Sequence, residues 1–108
     1  MATTYKVLGQ ALPAAATDTT LYTVPSATSA VCSTISICNL GASTTYRIAI
    51  RVAGASIEDK QYLAYEAAIE QYDTILLTLG ITLAATDVVT VRAATADVSF
   101  QLFGSELT

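Results

Sequence analysis

The sequence has no histidine and no tryptophan, only two cysteines and two prolines, and little charge: 13% of its 108 residues. Without histidine the commonest general base, proton shuttle and zinc ligand is missing, and with it the Ser-His-Asp and Cys-His arrangements of nucleophilic catalysis. Without tryptophan the best aromatic face for stacking a sugar or a base is missing too. Five basic residues stand against nine acidic ones, a formal charge of -4, opposite to the sign that releases counterions from a phosphate backbone. Lys6, Arg47, Arg51, Lys60 and Arg92 are scattered rather than gathered in a basic run, so no nucleic-acid partner is expected. No stretch approaches the roughly 18 to 20 apolar residues that cross a bilayer as a helix. The opening Met-Ala-Thr-Thr-Tyr-Lys lacks the charged and apolar regions of a signal peptide. No membrane partner is expected, and the chain reads as made and used in the cytosol, or carried out of the cell within something larger.

What is present is apolar. Hydrophobic residues make up 53%, ample to offset the entropy of ordering. A chain of this length is one domain, 1–108, and by area scaling buries roughly 65% of the surface its unfolded form exposes, enough for a core without staples. Cys32 and Cys38 lie in one apolar stretch, Ala30 to Asn39. If that stretch is a single strand their Cα atoms are about 20 Å apart, beyond disulfide reach. Free structural thiols are expected, since a nucleophilic cysteine needs an activating partner that a chain without histidine does not offer.

Short period-2 segments bounded by small polar residues indicate an all-β, single-domain β-sandwich, jelly-roll or immunoglobulin-like, with about eight antiparallel strands. The strands are expected at Thr4–Gly9, Thr19–Val24, Ala30–Asn39, Thr45–Val52, Gln61–Glu66, Thr74–Leu79, Asp87–Ala93 and Val98–Phe103. In the third, Val31, Ile35 and Ile37 share one parity. In the fourth, Tyr46, Ile48 and Ile50 alternate with Arg47 and Arg51, giving one buried and one wet face. Val88 beside Val89 breaks the seventh strand's alternation, and Phe103 falls on the polar side of the eighth with Ser99 and Gln101.

Asn39 to Thr44 reads as a hairpin connection and Ala53 to Ser56 as a loop, while Pro25 should end the second strand because it cannot donate to a ladder. Ile57 to Tyr72 is rich in helix formers, with Ser56 and Asp59 loosely imitating a capping box, but the alternation of Tyr62, Ala64 and Glu66 with Leu63, Tyr65 and Ala67 favours a strand. Asp73 and Asp87 each precede a β-branched run, as where an Asx-type turn launches a strand. Leu79 to Leu83 looks like a bend centred on Gly80. Glu58, Asp59, Asp73 and Asp87 form no consecutive ligand loop for calcium, and Glu66 with Glu70 has no established separation for acid and base work. No enzyme activity, metal or cofactor is expected. Tyr62, Tyr65 and Tyr72 suit a contact patch better, since tyrosine offers large area with a polar tip.

Five segments carry a resemblance that runs from end to end: Met1-Ala-Thr-Thr-Tyr-Lys-Val-Leu-Gly-Gln10, Thr19-Thr-Leu-Tyr-Thr-Val-Pro25, Thr34-Ile-Ser-Ile-Cys-Asn39, Leu77-Thr-Leu-Gly-Ile-Thr-Leu83 and Val98-Ser-Phe-Gln-Leu-Phe-Gly-Ser-Glu106. They resemble small virion structural proteins of tailed bacteriophages, especially phages of cyanobacteria and other aquatic bacteria. The resemblance implies a virion subunit assembled in the host cytoplasm. The first reading is a capsid decoration, or cement, protein, a homo-oligomer with a trimer favoured, that stabilises the shell against the major capsid protein or other virion proteins. Its expected packing contacts are Tyr5, Leu8, Leu12, Tyr62, Tyr65 and Phe103, with residues 1–16 as an assembly arm. The second reading is a tail, baseplate or fibre subunit that recognises a host-surface glycan through tyrosines and loop carboxylates.

Overall fold

The structure, a computed structural model, describes residues 2–108. Its strands are β1 (Thr3–Ala11), β2 (Thr19–Thr23), β3 (Ser29–Asn39), β4 (Thr44–Arg51), β5 (Tyr62–Ile69), β6 (Thr74–Leu77), β7 (Ile81–Leu83), β8 (Val88–Ala93) and β9 (Val98–Leu107). They form two antiparallel sheets. One has the order β1-β9-β3-β6 with β7 also on β3, and the other the order β2-β8-β4-β5. Because β6 and β7 pair with successive parts of β3, they are two halves of one broken strand, and eight strand positions remain. Only β4 to β5 is a hairpin within one sheet; every other connection between these eight positions crosses from one sheet to the other. That is the jelly-roll order, not the immunoglobulin one. Asn39 to Thr44 is one of the crossings and not the expected hairpin. Its turn is held by buried Asn39, whose side-chain amide donates to Ala42 O and Glu70 O at 2.9 Å each and whose Oδ1 accepts from Gly41 N.

The core lies between the sheets. Phe100, Ile35, Ile37, Ile48, Ile69, Leu102, Val89, Val91 and Val98 are fully buried, each worth about 1.5–3 kcal/mol relative to exposure, and Tyr46 meets Phe100 edge-on at 6.4 Å between centroids. Val31 does not join them. It shares the parity of Ile35 and Ile37, yet the register against β9 shifts between Cys32 and Thr34. The extra residue, Ser33, turns Cys32 inward and Val31 out. Val88 and Val89 are both buried, because the short turn Val52–Gly54 lies over β8 beside Val88. The helix-former-rich segment is a single turn, Asp59–Gln61, followed by β5. Gln61 holds that turn by accepting from Glu58 N and donating to Ser56 O, so the capping contact is Glu58 with Gln61 rather than Ser56 with Asp59.

Residues 1–16 were expected as an arm. Over Thr3–Ala11 they form β1, paired with β9 in the chain's own sheet, and Met1 lies outside the described residues. Two glycines permit close approaches at the bulges of this sheet. A Cβ on Gly104 would sit 2.0 Å from Val31 O, and one on Gly9 2.0 Å from Leu21 O, whereas Gly80 has nothing within 4 Å. Gly104→Ala and Gly9→Ala are therefore expected to lower the unfolding free energy by about 1–3 kcal/mol or more, since backbone must move, and Gly80→Ala to leave it nearly unchanged; urea denaturation of the three variants measures this.

Candidate functional site

The outward side of the five-stranded sheet carries no charged side chain among the described residues. Its β1 residues are Thr3, Tyr5, Val7 and Gln10, and its β9 residues are Ser99, Gln101, Phe103, Ser105 and Leu107. Further across, β3 presents Ser29, Val31, Thr34, Ser36 and Cys38, and β6 and β7 add Thr74, Leu76 and Thr82. The register joins them into rows, Val7–Phe103–Thr34 and Tyr5–Ser105–Val31–Thr82. Tyr5 is 83% exposed, Leu76 65%, Val7 47% and Val31 41%. The two charges on these strands, Lys6 and Glu106, have the opposite parity and face inward, where Lys6 Nζ lies 3.1 Å from Glu106 and the hydroxyl of buried Tyr22 donates to it at 2.6 Å. This clasp ties β1, β9 and β2 together. Burial, with the Glu106 carboxylate beside it, raises the Tyr22 phenol well above its ordinary value, and the bonds from Tyr22 and then Lys6 lower Glu106.

The outer face of the four-stranded sheet is its opposite in character. Arg47 and Arg92 are cross-strand partners, a like-charge pair that would repel, and carboxylates flank them on both sides. Arg47 is paired with Glu66, and Arg92 lies 3.7 Å from Asp18. Glu66 is placed by a bulge: Tyr46 pairs with Ala67 and Ile48 with Ala64, so Arg47 stands opposite two residues, Tyr65 and Glu66. Glu66 adopts the left-handed region at φ 50°, a cost of order 1 kcal/mol that the surrounding contacts must offset. Its other oxygen accepts from Thr45 Oγ1 at 2.7 Å. The Thr45 bond first, and then the Arg47 guanidinium, lower its carboxyl. The Arg47 guanidinium also lies 4.4 Å from the Tyr65 ring centre and 5.9 Å from that of Tyr62, and the two rings meet edge to face at 4.9 Å. A cleft of about 310 Å³ opens beside them, lined by Asp59, Tyr62 and Tyr65.

The six expected contact residues do not share one surface. Tyr5 and Phe103 lie on the uncharged face, Tyr62 and Tyr65 on the charged one, and Leu12 is exposed in the connection after β1. Leu8 belongs to the core and is 9% exposed, which removes it from any contact surface: it has the inward parity of Lys6, opposite to that of Tyr5 and Val7. Sequence reasoning did not find Arg47 and Glu66 as a pair, because the bulge that joins them leaves no mark in the side-chain alternation. Cys32 and Cys38 are free thiols, and burial pushes Cys32 up to about 11, so it holds little thiolate at neutral pH. Asp87 is buried, and its carboxylate accepts from Ala53 N and Ala84 N. Among the described residues no three histidine, cysteine, aspartate or glutamate side chains gather as a metal site requires. Comparison of the chain with known protein families, with curated proteins and with solved structures finds no match.

Folding lowers both Glu66 and Glu106 from their ordinary value of 4.5. A lowered carboxyl contributes stability that is complete above that value and is lost as the pH falls through the folded one. The urea midpoint is therefore expected to drop below pH 4.5, and Glu106→Gln to flatten that dependence while lowering stability at pH 7; a variant that keeps the full acid dependence would exclude Glu106 as its source.

Proposed function

We propose that this protein is a structural subunit without a reaction of its own, and that it works by laying the outer face of its five-stranded sheet against a larger assembly. The observation that carries this reading is the absence of charge from that face, where Tyr5, Val7, Val31, Phe103 and Leu76 sit among serines and threonines. Charged residues are depleted at the centres of protein interfaces, and a free surface normally intersperses them. Covering such a face leaves no ion unpaired, which is what makes charged surfaces costly to desolvate.

The end-to-end resemblance to small virion proteins of tailed phages supports the finer form of the proposal. In that form the assembly is the virion shell, made in the host cytoplasm, and the chain is a capsid decoration protein, a homotrimer whose uncharged faces meet the major capsid protein or each other. A place in the tail, baseplate or fibre uses the same surface chemistry at lower copy number.

Copy number in purified particles, by quantitative mass spectrometry against the major capsid protein, is the direct test. Hundreds of copies in simple ratio to the shell protein are expected for a decoration subunit. A few to a few tens would move the chain to the tail, and absence would overturn the virion reading. Leu76→Glu, at a position 65% exposed, should change stability by no more than about 0.5 kcal/mol while reducing incorporation roughly tenfold or more, because it places an unpaired charge at the covered face; unchanged incorporation would exclude this face.

A further inference from the structure

The outer face of the four-stranded sheet has chemistry that assembly through the uncharged sheet does not use. We propose that the corner formed there by Tyr62, Tyr65 and Asp59 is a binding site for a quaternary ammonium group, a trimethylammonium head of the choline kind. The inference does not rest on the assembly reading, since it concerns the other sheet.

The shape comes from β5 and the turn before it. The rings of Tyr62 and Tyr65 have centroids 4.9 Å apart and planes at 74° to each other, so they form two walls rather than one platform. A flat platform suits the face of a sugar or a base, whereas a corner between two near-perpendicular rings suits a compact, rounded group. Asp59 closes the corner, and the three residues line a cleft of about 310 Å³. The walls are held from β4, where the Arg47 guanidinium lies 4.4 Å from the Tyr65 ring centre and 5.9 Å from that of Tyr62. Tyr65 nevertheless keeps 57% of its surface in solvent. A ring fixed before the ligand arrives needs little further ordering on binding. Arg47 also shows that these rings accept a cation, which the negative potential of an aromatic face attracts.

The charges around the corner select the sign of the ligand. Arg47 is paired with Glu66, Arg92 lies 3.7 Å from Asp18, Lys60 lies 3.4 Å from Glu58, and Arg51 donates to the carbonyls of Gly54 and Ala55. Lys60, the chain neighbour of Asp59, lines a separate cleft with Ile50, Val52 and Leu63. No cation lines the tyrosine corner, and among the described residues the Asp59 carboxylate is in no ion pair. An anion would meet that carboxylate uncompensated, and a neutral apolar ligand would bury it unpaired, which is costly. A primary ammonium carries three N–H donors and a tight hydration shell, which one carboxylate does not replace. A quaternary ammonium has no donor to satisfy. Its methyl groups pack on the rings while its charge faces the π electrons and the carboxylate, the combination by which aromatic cages recognise such cations.

The test is an NMR titration of the intact chain with choline and with tetramethylammonium at constant ionic strength, following the ring signals of Tyr62 and Tyr65 against those of Tyr5 on the other sheet. Both cations are expected to give saturable shifts at Tyr62 and Tyr65 and none at Tyr5, with methylammonium and the neutral tert-butyl analogue of choline binding roughly tenfold more weakly or worse. Asp59→Asn and Tyr65→Ala should each weaken choline binding roughly tenfold, unchanged Tyr5 signals reporting that the variants are folded, and Tyr65→Phe, which keeps the aromatic face, should bind nearly as the parent does. Leu76→Glu, which disables the assembly face, should leave choline binding unchanged. Choline binding together with sedimentation on phosphatidylcholine vesicles assigns a lipid headgroup as the source, and choline binding without it a free solute; either supports the site. Absence of shifts at Tyr62 and Tyr65 with both cations would overturn the proposal, as would equal binding of the neutral analogue or of methylammonium, or choline binding that survives both Asp59→Asn and Tyr65→Ala.

Discussion

Two sheets pressed face to face about 10 Å apart have room for one interdigitated layer of side chains, and in this protein Phe100, Ile35, Ile37, Ile48, Val89 and Val91 fill that layer. Everything else is what the strict alternation of a strand leaves over. Each residue facing inward forces its neighbour outward, so the two outer faces are fixed as soon as the core is. Where alternation is kept, as along β9 from Val98 to Phe103, the outer row follows directly. Where it is broken, by Ser33 in β3 or by Tyr65 and Glu66 in β5, an outer face acquires a residue that simple parity assigns elsewhere.

The two outer faces differ because charge has been sorted between them. On the five-stranded sheet the inward parity takes Lys6 and Glu106 into a clasp with Tyr22, and the outward parity is left with hydroxyls, amides and apolar groups. On the four-stranded sheet the adjacent arginines of β4 and β8 are neutralised from the flanks by Glu66 and Asp18. One face can be dehydrated without stranding an ion. The other presents locked aromatic rings beside polar groups with spare hydrogen-bonding capacity.

Much of the architecture was legible in the residues. All eight expected strands lie on strands of the structure, and the strand reading of the segment around Tyr62 to Ile69 held against its helix-forming composition, because cross-strand packing of Ala64, Ala67 and Ile69 on the core outweighs local propensity. The placement of Phe103 on the outer face followed from parity alone. What parity does not carry is a bulge: Val31 is turned outward by Ser33 and Glu66 is carried to Arg47, whereas the burial of Leu8 follows from plain alternation with Val7. The connection at Asn39 to Thr44 was misread for a different reason. Its small polar residues fit a hairpin, and only the burial of Asn39 between two loops makes it a crossing. The pairing of β6 and β7 as one broken strand was hidden because Gly80 reads as a simple bend.

The central claim is that the uncharged sheet is the covered face and the sheet bearing Arg47 is the open one. Hydroxyl-radical footprinting of the free chain and of purified particles, read by mass spectrometry, measures this directly. The account predicts strong protection of Tyr5, Phe103 and Leu76 in the particle, with Tyr65 remaining as reactive as in the free chain. Protection of Tyr65 together with undiminished labelling of Tyr5 and Leu76 would contradict it.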